Sequence, residues 1–210
     1  MSANISLSDF IENLRAPSGA PGGGAASAAG ASLGCALYQM VAGVTLSLPR
    51  FTEGRDQLEK IRIAASSLCD QLKELAEIDA DAYKAVENAM KMPRATSDEK
   101  AARRKAMQEA FKNATSVPLQ IMDRCLDALK LLPDLLQYGN PNAITDIAVG
   151  TLLLDAAIKG TSINAEINLS SIKDAGFVEE AKCRLVKGRQ AASTALPLLK
   201  DSSKEAGITL

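Results

Sequence analysis

One stretch constrains this chain most: Pro21-Gly22-Gly23-Gly24, followed by a run from Ala25 to Leu48 that carries no charge. The first half of that run is Ala, Gly and Ser, with Gly30 and Gly34 four residues apart. Such a helix has little side-chain surface, and its interior glycines weaken it. The deficit must be offset by close approach of another backbone or of a ligand. A glycine turn at a helix N-terminus also leaves backbone N–H groups open to an anion or a polar ring. The run is long enough to cross a bilayer, yet Gly, Ala and Ser give little drive to insert. The expectation is a buried helix of a cytoplasmic protein, with no membrane partner.

The 210 residues predict one helical domain over 1–210 with ample core. A net charge of −1 and an aromatic content of 3% give no footing for a nucleic-acid partner. Histidine is absent, which removes Ser-His-Asp and Cys-His catalysis in their usual forms and the commonest metal ligand. Acid–base work falls to Asp, Glu, Lys, Tyr or Cys. Cys35, Cys69, Cys125 and Cys183 lie too far apart for a C-x-x-C metal site and read as small core residues of a reducing compartment.

The periodicity is helical throughout. Ser6 caps a first helix to Leu14, and Ala16–Gly24 is a loop. The small-residue helix ends near Pro49, and a long helix covers about Glu53–Met90, closed by Pro93. Thr96 and Glu99 form a capping box for a helix to Ser116, which Pro118 breaks or kinks before a helix over Leu119–Leu132. Asn140-Pro141 opens a helix to Lys159 that Gly160 stops. A short helix over Ser162–Asn168, a last long one from Ser171 to Lys200 and a loose tail complete the chain. This predicts an all-α, antiparallel bundle of long helices, two of which form a dimer seam.

Leu58, Ile61, Ala65, Leu68, Leu72, Leu75, Asp79, Ala82, Val86 and Ala89 alternate in steps of three and four. Asp79 thus takes a core position, where a carboxylate is costly unless it fixes register, pairs with a cation or serves a pocket. Tyr83 follows one turn later on the same face. Asn142, Asp146 and Gly150 make a second polar stripe, next to Asn140, and Asn164 and Asn168 make a third. Recurring amides suit a heterocycle with mixed donors and acceptors, though capping and solvation explain any one of them alone. Lys100, Arg103, Arg104 and Lys105 read as a solvated face or as the path of a polyanionic tail.

These residues carry a resemblance. Ser8–Leu14 with Pro21-Gly22-Gly23-Gly24, then Asp79-x-x-Ala82-Tyr83-x-x-Val86, resemble the formiminotetrahydrofolate cyclodeaminase family, which includes bacterial methenyltetrahydrofolate cyclohydrolases. So do Glu99-Lys100-Ala101-Ala102-Arg103, Ala114–Pro118, Gly139-Asn140-Pro141-Asn142-x-x-x-Asp146 and Asn164-x-x-Ile167-Asn168-Leu169, all in the family's order. Where the family would carry a lysine-rich aromatic segment, this chain reads Leu48-Pro49-Arg50-Phe51.

The resemblance implies a homodimer and a tetrahydrofolate substrate, with no metal and no further cofactor. The reaction is formation of 5,10-methenyltetrahydrofolate from the 5-formimino compound, or hydrolysis of the methenyl compound to 10-formyltetrahydrofolate. A separate formiminotransferase is a possible partner, and a binding or scaffold protein with a decayed site is the non-enzymatic alternative. On this reading Asp79 does the acid–base work with Tyr83, and Asp146 binds the pterin. Asn140, Asn142, Asn164 and Asn168 orient the ligand, and Pro21, Gly22, Gly23 and Gly24 approach it closely. The two aspartates are interchangeable at this point.

Overall fold

A computed structural model describes residues 5–205 and 207. The described elements are α1 (Leu7–Arg15), α2 (Gly23–Ser47), α3 (Arg55–Lys91), α4 (Ser97–Leu129), α5 (Leu132–Tyr138), a 3-10 turn at Pro141–Ala143, α6 (Ile144–Leu169), α7 (Ala175–Ala192) and α8 (Ala195–Glu205). Four of them, α2, α3, α4 and α6, form an antiparallel bundle. Gly24 meets Asp79 and Gly43 meets Arg62 across α2 and α3, while Gly23 meets Asn164 and Gly34 meets Gly150 across α2 and α6. Arg103 reaches the Met90 carbonyl across α3 and α4, and Asn168 reaches that of Ala114 across α4 and α6.

The small-residue helix is offset by backbone contact, as its composition requires. A Cβ on Gly34 would lie 2.8 Å from the Gly150 carbonyl oxygen, and one on Gly150 would lie 3.0 Å from that of Gly34. Gly150 is therefore filled by α2 and by the Tyr38 ring, and it does not form a ligand notch. The Tyr38 hydroxyl bonds Thr151 at 2.6 Å in the core.

Two expected breaks are absent. Pro118 lies inside a continuous α4. Its missing N–H would orphan the Ala114 carbonyl one turn back, and the Asn168 amide donates to that oxygen at 2.9 Å. Gly160 lies inside a continuous α6, so the short helix over Ser162–Asn168 is its last two turns. A Cβ on Gly160 would overlap the Ser27 hydroxyl of α2, so this glycine permits close packing.

Other corrections follow from local chemistry. α4 stops at Leu129, and Pro133 opens a separate α5. The last long helix is two, because the Ser193 and Thr194 hydroxyls bond back to the carbonyls of Gln190 and Ala191 at 2.6 and 2.8 Å. Asp201–Glu205, expected to be loose, end α8, and Ser203 is buried. Cys35 and Cys125 are buried and Cys69 is half-buried, whereas Cys183 is exposed because α7 turns Ala181, Leu185 and Gly188 inward. Burial pushes the Cys35 thiol up to about 12.

Candidate active site

α2 starts at a bare N-cap. Gly22 has no side chain to cap with, and the first helical bond runs from the Ala26 N–H to the Gly22 carbonyl at 2.9 Å. The N–H groups before it point out of the helix end. Asp79 reaches this end from α3, and the Ala25 N–H donates to its carboxylate. Gly24 makes the approach possible, because a Cβ there would overlap both carboxylate oxygens. Asp79 is half-buried. Burial raises its pKa above the usual 3.8, and the Ala25 N–H pulls it partly back.

Tyr83 stands one turn further along α3, 47% exposed. Its hydroxyl lies over Gly19, where a Cβ would be 2.7 Å from that oxygen. Gly19 has φ of +76°, so both backbone conformation and space call for glycine. Asn164 of α6 completes the group, its amide nitrogen 3.5 Å from the Cβ position of Gly23. Pro21 is buried beneath the turn. The structure thus gathers Gly22, Gly23, Gly24, Asp79, Tyr83 and Asn164 at one end of the bundle: a carboxylate on a helix N-terminus, flanked by a phenol and an amide. Asn168 lies at the same end, but its amide nitrogen is committed to the Ala114 carbonyl.

The second polar stripe is elsewhere. Asn140 is buried, donates its N–H to Thr45 at 2.9 Å and accepts from the Asn142 N–H at 3.1 Å. It caps the 3-10 turn that leads into α6. Asn142 is exposed and Asp146 half-buried in the first turn of α6. At about 1.5 Å per residue, Asp146 and Asn164 stand about 27 Å apart on that helix. One chain therefore does not unite the two sets.

Two depressions border these ends. An open groove of about 530 Å³ shares Pro21 with the glycine turn and is walled by Leu7, Phe10, Leu33 and Ala76, with neither Asp79 nor Tyr83 in its lining. A notch of about 260 Å³ at the Asn140 end is lined by Arg50, Phe51, Tyr138 and Pro141, with the Arg50 guanidinium 5.1 Å from the Phe51 ring centre. The Leu48–Phe51 segment of the sequence reading thus belongs to the Asn140 end.

Across the chain, residues 6–187 match the family model described as formiminotransferase-cyclodeaminase. The chain belongs to that family. Methenyltetrahydrofolate cyclohydrolase of Methylorubrum extorquens is 31% identical over 93% of this chain and 94% of its own length. Formimidoyltransferase-cyclodeaminase of Rattus norvegicus is 32% identical over 93% of this chain, which spans only 36% of the rat protein. The crystal structure of formiminotetrahydrofolate cyclodeaminase from Thermotoga maritima superposes with a TM-score of 0.87 at 25% identity, covering 98% of both chains. These relatives carry the names of folate one-carbon enzymes. For the formiminotransferase-cyclodeaminase fold seen here, the resemblance drawn from the sequence motifs holds, and so does the all-helical architecture.

Proposed function

We propose that the protein is a folate one-carbon enzyme acting as a formiminotetrahydrofolate cyclodeaminase, with Asp79 as its acid–base group. The observation that carries this is the Asp79 carboxylate, held on the open N-terminus of α2 by a glycine that no other residue can replace without displacing it. In the reaction, N10 of the pterin compound attacks the carbon of the protonated formimino group on N5 (N5–CH=NH2+). Asp79 takes the N10 proton and returns it to the departing nitrogen, which leaves as ammonia, and the N5–C–N10 bridge remains as a cation beside the carboxylate. A raised pKa brings Asp79 nearer the range in which one group can both accept and give a proton. The same carboxylate would stabilise the cationic bridge. Tyr83 is placed to hand a proton to the leaving nitrogen or to orient it.

A second reading uses the same electrophilic carbon: water adds to the methenyl bridge, losing a proton to the carboxylate, and the N5–C bond breaks to give the 10-formyl compound. The Methylorubrum relative, matched over nearly its whole length, favours it. Following the methenyl chromophore separates the two. Absorbance gained from 5-formiminotetrahydrofolate supports cyclodeaminase, accelerated loss from 5,10-methenyltetrahydrofolate supports cyclohydrolase, and neither leaves a non-enzymatic binding protein.

The working unit we propose is a homodimer. α2 turns Leu33, Met40 and Val44 outward, and its neighbour α6 turns out Val149, Leu152, Ile163 and Ile167, the last two 66% and 69% exposed. Contiguous apolar surface of this kind marks an association face. A two-fold axis lying in that face and perpendicular to the α2 and α6 axes makes the interface self-complementary and sets the glycine end of each protomer beside Asn142 and Asp146 of the other. The two polar sets that are about 27 Å apart in one chain then meet, with Asp79 on the reacting carbon and Asp146 on the pterin. The separate formiminotransferase remains a proposed partner, supported by the fused name of the rat relative.

A further inference from the structure

Two glycine contacts set how closely α2 and α6 run. One is Gly34 against Gly150, backbone to backbone. The other lies further along α6, where Gly160 faces Ser27 of α2. The Ser27 hydroxyl occupies the place that a side chain at 160 would take. It is held there by donating to the Gly23 carbonyl at 2.8 Å. A Cβ on Gly160 would overlap that hydroxyl, whereas the Ser27 Cβ stands 3.6 Å from the same point, at ordinary contact distance. An alanine at 160 must therefore move α6 off α2 or swing the hydroxyl away. Alanine is otherwise the better residue for the interior of a continuous helix. Glycine at 160 is a cost that the spacing offsets.

The side chain that depends on this spacing is Asn164. It stands one turn beyond Gly160 on the same face of α6, half-buried, with its amide nitrogen 3.5 Å from the Cβ position of Gly23. That amide enters no hydrogen bond among the described residues. Asn168, a turn later, has committed its amide nitrogen to the Ala114 carbonyl at 2.9 Å. Of the two amides at this end of α6, Asn164 is the one left for a ligand. Asp79 reaches the same glycine turn from the opposite side, and its seat on Gly24 and the Ala25 N–H is made by α2 and α3 alone. The distance from α2 to α6 at Gly160 thus governs Asn164 without governing Asp79.

We propose that Gly160 is a positioning residue for the reaction: by letting α6 close on Ser27, it sets the Asn164 amide against the ligand on which Asp79 acts. The proposal rests on the folate reading above. It makes Asn164 a hydrogen-bonding partner of the substrate and gives Gly160 its effect through that side chain alone.

The test follows turnover by methenyl absorbance and folding by scanning calorimetry in a set of variants. Asn164→Ala should lower kcat/KM by about tenfold, the worth of a neutral hydrogen bond. Gly160→Ala should fold and approach the same loss, with the pH profile set by Asp79 unmoved. Ser27→Ala removes only the obstacle and should keep the parent activity. S27A/G160A should recover to within about twofold of the parent, and Gly160→Ala placed in Asn164→Ala should cost nothing further, again within about twofold. A glycine that merely supports the fold would add its loss to that of Asn164→Ala. The proposal is overturned by Gly160→Ala or Asn164→Ala at parent activity, by a defect that persists in S27A/G160A, by losses that add, or by a Gly160→Ala protein that does not fold. Any of these in an active parent sinks the positioning role alone. A parent that converts neither folate substrate and fails to bind 5-formyltetrahydrofolate in calorimetry sinks the folate reading, and the positioning role with it.

Discussion

Gly24→Ala separates the helix from the site it supports. In a helix the change from Gly to Ala contributes up to about 1 kcal/mol of stability. Gly24 has an ordinary backbone conformation, so alanine adds no torsional strain. Its Cβ, however, would overlap both oxygens of Asp79. Overpacking of this kind costs about 1–3 kcal/mol, and the moved carboxylate also leaves the Ala25 N–H. The net destabilisation is therefore about 0–2 kcal/mol, a fall in Tm of at most about 8 °C at about 2–4 °C per kcal/mol for a chain of this size. Turnover should fall further, by about a hundredfold or more, because a misplacement of about 1 Å at an acid–base group costs that much. Gly43→Ala is the control in the same helix: its Cβ meets only the Arg62 side chain at 3.9 Å, and it should leave both readouts intact. Scanning calorimetry and the methenyl-absorbance assay on the two variants decide the matter. A Gly24→Ala protein that is as active as the parent would refute the claim that this glycine exists to seat Asp79.

Asp79→Asn should keep an acceptor for the Ala25 N–H yet lower turnover by about 10²–10⁴. The folded pKa of Asp79 is raised, so its contribution to stability is present below 3.8 and is lost as pH rises through the raised value. Calorimetry across that interval should show the slope in the parent and a flatter profile in Asp79→Asn; a variant that is active, or one with an unaltered profile, contradicts the assignment. Asn168→Ala should cost about 1–3 kcal/mol by leaving the Ala114 carbonyl without a donor. Adding Pro118→Ala restores that N–H, so chemical denaturation should find the double variant more stable than the sum of the singles, and strict additivity would mean that the repair is not real. Leu152→Glu places a charge on the outward α2/α6 face, where Leu152 is 44% exposed. Light scattering should show monomers with turnover lost in parallel; an active monomer would end the composite-site reading.

The parts of the fold legible in the sequence are those whose cause is local. The ten-position heptad of α3 is buried at every apolar position, and Asp79, the one polar member, is half-buried at the end of another helix. The Ser6 cap and the Thr96–Glu99 capping box form as predicted, and Asp9 completes a box at Ser6 as well. The low side-chain surface of α2 called for close backbone contact, and Gly34 against Gly150 supplies it. What failed to show in sequence has a cause far along the chain. Pro118 reads as a break until Asn168 is known to lie beside Ala114, and Gly160 reads as a stop until Ser27 is known to need its space. Both exceptions sit on α6 or touch it, and together they keep α4 and α6 continuous past points where local rules end a helix. That continuity sets where the polar side chains of α6 lie. It carries Asn164 up to the glycine turn while leaving Asp146 at the far end of the same helix, so the two polar sets stay apart within one chain.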